Sequence, residues 1–215
     1  MTKNPLPLAD AEQLALRIRH TLLAEAGAFS RVELAGSIRR RRPYVGDLEL
    51  VAEIDPERDF GATSRVKGAL NAIGVTRAPP TERKTGFPAL APWGDRYLKG
   101  ILRPAGEPVQ LDLFIVRPPA EWGVVFLIRT GSAGFSQSMV TRLHRYELKS
   151  DDGHIVSVPE HTVRGRGLIS GKSYGEVVPC RTEEDFFRLA HMPFIPPEER
   201  EMDNGRTQLA FAGEV

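Results

Sequence analysis

One stretch limits what this chain can become more than any other: Gly36-Ser37-Ile38-Arg39-Arg40-Arg41-Arg42-Pro43-Tyr44-Val45-Gly46-Asp47-Leu48-Glu49-Leu50-Val51-Ala52. It joins a Gly-Ser turn, a run of cations and two acids separated by one residue. Beyond the acids Leu48, Leu50, Val51 and Ala52 give the apolar pattern of a strand entering a core. Alternate residues of a strand share a face, so Asp47 and Glu49 project side by side. Two carboxylates that close repel each other unless a divalent cation lies between them. Hard oxygen ligands on a rigid strand suit Mg2+, which commonly arrives with phosphates attached. The Gly36-Ser37 turn offers backbone N–H groups and a hydroxyl to such phosphates, and the arginines offer forked donors. Taken singly, these signals have ordinary readings: a turn, a solvated strand face, a surface basic patch. Their order within one turn-and-strand unit points to a nucleoside-triphosphate site.

A third acid supports this. Val109-Gln110-Leu111-Asp112-Leu113-Phe114-Ile115-Val116 is an apolar strand interrupted by a carboxylate at its middle. A buried carboxylate is costly unless it is paired or binds metal. Its ordinary reading is an ion pair with a neighbouring arginine. With two acids already on one strand, metal binding becomes the stronger reading, and Asp112 completes a cluster of three.

At 215 residues the chain can bury a substantial core as one domain or two small ones. Its net charge of +1 carries no global signature of a nucleic-acid binder, but the cations are clustered. Arg142, Arg145 and Lys149 form one group, Arg164, Arg166 and Lys172 another, and all six are candidate DNA contacts. The lone cysteine, Cys180, excludes an internal disulfide and suits a reducing compartment. No apolar stretch is long enough to span a bilayer and no secretory leader is evident, so an intracellular protein, cytoplasmic or at the nucleoid or nucleus, is expected.

Apolar spacing predicts an amphipathic helix over Ala9–Ala26, with Asp10 as N-cap and Leu14, Ile18, Leu22 and Leu23 facing the core. Strands are expected at Arg31–Ala35, Asp47–Ile54, Tyr97–Leu102 and Val109–Val116, and a helix at Thr63–Ile73. The segment from Pro79 to Gly86 reads as a basic loop. A helix after Thr130-Gly131-Ser132, running on to Tyr146, precedes a hairpin turn at Ser150–Gly153. A basic glycine-rich loop follows around Gly165–Gly175, and then a capped helix from Thr182 to Leu189. His144 and His191 read as packing or surface residues.

The Gly-Ser-x-Arg-Arg turn followed by Gly-Asp-x-Glu resembles the signature of the nucleotidyltransferase superfamily, and in this form the palm of the family X DNA polymerases. Phe126-Leu127-Ile128-Arg129-Thr130-Gly131-Ser132-Ala133-Gly134-Phe135-Ser136-Gln137-Ser138-Met139 is similar to that family's Thr-Gly-Ser segment. Pro193-Phe194-Ile195-Pro196-Pro197-Glu198-Glu199-Arg200 resembles the close of its thumb. The resemblance covers Ala9 to Arg200. It implies an α+β fold: a nucleotidyltransferase palm with a mixed sheet and flanking helices over residues 9–125, then a small α/β thumb over 126–200. Residues 1–8 would be a flexible lead-in and 201–215 a flexible tail.

The resemblance implies a monomeric DNA-directed DNA polymerase that adds dNTPs to a primer 3′-hydroxyl, filling short gaps in repair. Asp47, Glu49 and Asp112 would be the catalytic acids and hold two Mg2+ ions, with Mn2+ as an alternative, and Asp112 would lie nearest the hydroxyl. Gly36, Ser37, Arg40 and Gly46 would bind the triphosphate, with Arg39 and Arg42 as lesser candidates. Thr130, Gly131 and Ser132 would border sugar and base. This chain departs from the family at Glu49, where Asp is usual, at Ile128 and Arg129, where an aromatic pair is common, and at the small Ala133, Ser136 and Val140. These departures bear on metal preference, sugar choice and fidelity. The family's lyase and helix-hairpin-helix modules find no room here, so lyase activity is not expected. The rival readings are another nucleotidyltransferase, untemplated or acting on RNA or protein, and a non-catalytic DNA-binding module, against which the three acids argue.

Overall fold

Every residue of the strand Val109–Val116 except Gln110 is buried, so both of its faces are covered. The computed structural model describes residues 5–82, 88–158 and 175–202. Within them the chain forms β1 (Leu6–Pro7), α1 (Leu8–Ala24), β2 (Phe29–Leu34), the one-turn α2 (Gly36–Arg39), β3 (Tyr44–Val45) and β4 (Leu48–Ile54). It continues through α3 (Ala62–Ala72), β5 (Thr76–Arg77), β6 (Thr81–Glu82), β7 (Pro88–Ala89), β8 (Tyr97–Leu102) and β9 (Val109–Val116). Beyond lie α4 (Trp122–Thr130), α5 (Ala133–Leu143), β10 (Leu148–Asp151), β11 (His154–Ser157), β12 (Val177–Val178) and α6 (Glu183–Leu189). The fold is a mixed α+β arrangement.

The main sheet has the order β2-β4-β9-β8-β5. Its central pair, β4 and β9, is parallel, and the other pairings are antiparallel. One face buries Leu48, Leu50 and Ala52 of β4 and Leu111, Leu113 and Ile115 of β9 against Ala15, Ile18 and Leu22 of α1 and Val66 and Leu70 of α3. The intervening residues occupy the opposite face, as strand alternation requires. There Val51, Phe114 and Val116 pack beneath Trp122 and Phe126 of α4. That apolar cover stops short of Glu49 and Asp112, so this face is dry at one end and carboxylate-rich at the other.

Helix α4 is apolar from Trp122 through Ile128 and serves two cores. Trp122 and Phe126 meet the sheet, while Val124 and Leu127 join Phe135, Met139, Leu143, Ile155, Cys180, Phe186 and Phe187 in a second cluster. Burial pushes the Cys180 thiol up to about 12, which makes it a packing residue. The β10–β11 hairpin turns through Asp152 and Gly153, both with positive φ, and β12 adds a third strand. Among the described residues no helix is long and apolar enough to cross a membrane.

Several expectations shift. Helix α1 begins at Leu8, and no side chain caps it. Its start is fixed instead by the pairing of Leu6–Pro7 with Tyr44–Val45 and by the Leu8 N–H on the Pro43 carbonyl at 3.0 Å. Asp10 therefore sits in the first turn, where the helix dipole favours an acid, and part of the supposed lead-in is paired. Leu23, placed on the core face by spacing, is exposed. The segment read as a basic loop begins with β6, which pairs with β7. Helix α4 is absent from the expected elements. Glu201 and Met202, assigned to a loose tail, are bonded to Arg40 and Ser132.

Candidate active site

The acid end of the sheet is built by register. Parallel pairing sets Glu49 of β4 directly beside Asp112 of β9, and Asp47 immediately precedes β4. Burial, followed by the charges of Asp47 and Asp112, pushes the Glu49 carboxyl up to about 7. Arg40 and Arg129 oppose this rise without cancelling it. Asp112 is only 7% exposed. Its Oδ1 accepts from the Tyr97 hydroxyl at 2.8 Å and its Oδ2 from Gln110 Nε2 at 2.7 Å. Gln110 also donates to Asp47 Oδ2 at 3.4 Å. Burial and the bond to Asp112 hold the Tyr97 hydroxyl protonated. Tyr97 stacks on Phe114 at 4.8 Å, and the Arg129 guanidinium covers the other aromatic neighbour of the site, lying 3.9 Å from the Phe114 ring centre.

The Gly36-Ser37 segment is the first turn of α2 rather than an open loop. Gly36 has φ +55, and a Cβ there would fall inside the Glu49 carboxyl group, so glycine is required both by backbone and by space. The Ser37 hydroxyl is buried without a hydrogen-bond partner among the described residues. A buried polar group of that kind costs free energy unless a ligand satisfies it.

The arginine run is already engaged. Arg39 forks onto Glu183 at 2.6 and 2.8 Å and donates to Thr130 Oγ1 at 2.7 Å. Its guanidinium also lies over Phe126 at 3.9 Å. Arg40 donates to the Thr130 carbonyl at 2.5 Å and to Glu201 at 2.6 Å. Arg42 approaches the same carboxylate at 3.5 Å, and Arg41 meets Glu12 at 3.1 Å. Fully buried Arg200 completes a triad through Glu183 at 2.5 Å.

Thr130-Gly131-Ser132 is likewise shaped from within. A Cβ on Gly131 would lie 2.5 Å from Phe135 Cδ1 and 2.8 Å from Ser136 Oγ, so its glycine serves packing against α5. Ser132 caps α5 by accepting from the Phe135 N–H at 3.3 Å and also accepts from the Met202 N–H at 2.9 Å. Gly46 lies between β3 and β4, beside Asp47.

Of the six basic residues expected on DNA, Arg164, Arg166 and Lys172 lie outside the described residues. Arg142 is bonded to the carbonyls of Ala190 and His191, which gives it a structural role. Arg145 is exposed, and Lys149 stands 3.7 Å from Asp151. His191 stacks on Tyr146 at 4.1 Å. Sequence reading missed Tyr97, Gln110, Glu183 and Glu201. Gln110 could have been found, since it lies two residues before Asp112 and so on the same face.

Among the described residues no three His, Cys, Asp or Glu side chains are grouped so as to hold a metal ion. The donor set still suits a hard divalent cation. Three carboxylates share one face, one is driven toward protonation by the other two and by burial, and a neutral amide bridges the remaining pair.

The family model described as DNA polymerase beta thumb matches residues 125–201. Over 172 residues the chain is 30% identical to DNA polymerase lambda of Rattus norvegicus, a match covering 77% of this chain. The chain is family X polymerase-like. It spans 28% of the length of that relative. The matched thumb segment takes in the end of α4, most of the second core and the Glu183–Arg200 pair, and Glu183 accepts from Arg39 of α2, two residues beyond Ser37.

Proposed function

We propose that the chain is a DNA-directed DNA polymerase of the family X type, with a palm over residues 9–125 and a thumb over 126–200. It would add dNTPs to a primer 3′-hydroxyl by a two-metal mechanism and fill short gaps during repair inside the cell, as a monomer. The observation that carries this is the alignment of Glu49 with Asp112 on adjacent strands, with Asp47 beside them and the Gly36 turn pressed against Glu49.

Asp47, Glu49 and Asp112 would hold two Mg2+ or Mn2+ ions, which when bound activate the hydroxyl and screen the triphosphate. Asp112, fixed by Tyr97 and Gln110, is the acid we place nearest the primer hydroxyl. The Ser37 hydroxyl, without a partner among the described residues, would donate to a β- or γ-phosphate oxygen, alongside the Gly36 and Gly46 backbone and Arg40. Arg39 and Arg42 are weaker candidates, because Arg39 is committed to Glu183 and Arg42 leans on Glu201. Thr130, Gly131 and Ser132 would present backbone rather than hydroxyls to sugar and base, since the hydroxyl of Thr130 is held by Arg39 and that of Ser132 by the α5 cap. Arg145 and Lys149 are the described cations we place on DNA.

Primer extension on a one-nucleotide gapped duplex, a recessed end and a bare single strand, with dNTPs and then NTPs, tests the reading. Templated gap filling is expected, and Asp47→Ala and Asp112→Ala should each reduce it by at least about a thousandfold without unfolding the chain. Addition to the single strand alone would make the protein an untemplated transferase. Turnover retained in Asp112→Ala would remove that residue from its role.

A further inference from the structure

Gln110 makes a contact that the cation reading of the three acids does not use. It stands two residues before Asp112 on β9, so its side chain rises from the same face. Its Nε2 lies 2.7 Å from Asp112 Oδ2 and 3.4 Å from Asp47 Oδ2. The other Asp112 oxygen accepts from Tyr97 at 2.8 Å. Both oxygens of this buried acid are thus occupied by neutral donors. Of the cations around these acids, Arg40 is bonded to Thr130 and Glu201, Arg129 lies over Phe114, and Lys99 stands opposite Asp112 in the register of β8 and β9.

We propose that Gln110 is a positioning residue, a neutral placeholder whose amide bridges Asp47 and Asp112 and must leave when a divalent cation binds between them. The inference rests on the reading that these acids hold such a cation. An N–H group and a cation compete for the same carboxylate lone pairs, and a cation repels the positive end of the amide dipole. Glutamine has three rotatable side-chain bonds and can swing clear at a modest rotamer cost. The bridge keeps Asp47 and Asp112 oriented and lowers their mutual repulsion. For the same reason it opposes the ion, because whatever stabilises the bridged form must be given up on binding.

The test is Mn2+ binding to the full chain, followed by the electron paramagnetic resonance signal of the free ion, for wild type and Gln110→Met. Methionine keeps the length of glutamine and removes the donor. Loss of a hydrogen bond to a charged acceptor corresponds to about a tenfold change, so Gln110→Met should bind Mn2+ about tenfold more tightly. Its melting temperature in EDTA should be lower than that of wild type, and the rise on adding Mn2+ larger. In wild type, the side-chain 15N–H2 resonances of Gln110 should shift toward solvent-exposed values on saturation with Mg2+. Equal affinity in Gln110→Met overturns the inference, and weaker affinity overturns it in favour of Gln110 as a ligand. If the variant does not fold, the wild-type resonances decide, since signals unmoved at saturating Mg2+ also overturn it. A wild-type chain that binds no Mn2+ defeats both this inference and the reading beneath it.

Discussion

Glu49 and Glu183 are both largely withdrawn from solvent, yet the protein treats them in opposite ways. Glu183 is 6% exposed and receives Arg39 and Arg200, whose guanidinium groups overcome its burial and hold its carboxyl below the usual range. Glu49 has burial and two neighbouring carboxylates against it and sits near 7. A buried charge that is fully paired serves architecture, whereas one set among like charges, as Glu49 is among the described residues, is the kind of group that marks a candidate ligand site. The first arrangement joins α2 to α6 across the two cores. The second lies where the apolar cover of the sheet runs out.

The largest effect is expected at the compensated site. Glu183→Ala leaves Arg200 buried with no carboxylate, and breaking one partner of a buried pair costs about 3–5 kcal/mol. Urea denaturation should show that loss, with Glu183→Gln intermediate, because an amide still accepts one hydrogen bond from Arg200. A loss below about 1 kcal/mol would mean that Arg200 finds other partners and that the contrast with Glu49 is overstated.

At the uncompensated site the sign reverses. The folded-state pKa of Glu49 is raised from 4.5 to about 7, so folding favours its proton. That contribution is fully present below about pH 4.5 and is lost as pH rises through about 7. In EDTA, Glu49→Gln should match wild type near pH 4 and exceed it by about 2 kcal/mol at pH 8, after allowance for partial solvent screening. Parallel stability profiles for the two proteins across that range would show that Glu49 carries no such strain.

The contrast also separates what was legible from what was not. β8 and β9 begin and end where the apolar runs do, because turn residues bound both. That Asp47 and Glu49 would share a face followed from strand alternation, whereas the place of Asp112 beside Glu49 is set by the parallel pairing of β4 and β9. Local pattern carried no trace of the triad, whose partners lie 144 and 17 residues apart. A run of four arginines reads as phosphate binding when its acids are far away in sequence. Helix α4 went unforeseen for a related reason: from Trp122 through Ile128 it has no polar face, and no side-chain cap marks its start. The crowding that requires glycine at position 131 comes from Phe135 and Ser136 of α5, which local sequence does not show. Period and capping are local signals, while compensation of charge is set by tertiary contact.

Arg40 stands between the two regimes, and the smallest effect is expected there. It lies near Glu49, yet it is bonded to Glu201 in a pair whose side chains are 12% and 32% exposed. A half-solvated pair of this kind contributes little to stability, so Glu201→Gln should lower the unfolding free energy by less than about 1 kcal/mol. Its consequence should appear in binding. A triphosphate and the Glu201 carboxylate compete for one guanidinium, and weakening the carboxylate should tighten a non-hydrolysable dNTP several-fold in calorimetric titration, at most about tenfold. The gain should shrink as salt rises, since screening weakens phosphate and carboxylate contacts alike. Unchanged affinity at low salt would place Arg40 with Arg39, as an architectural cation. Tighter binding would place it with the acids, as a group held in readiness for the ligand.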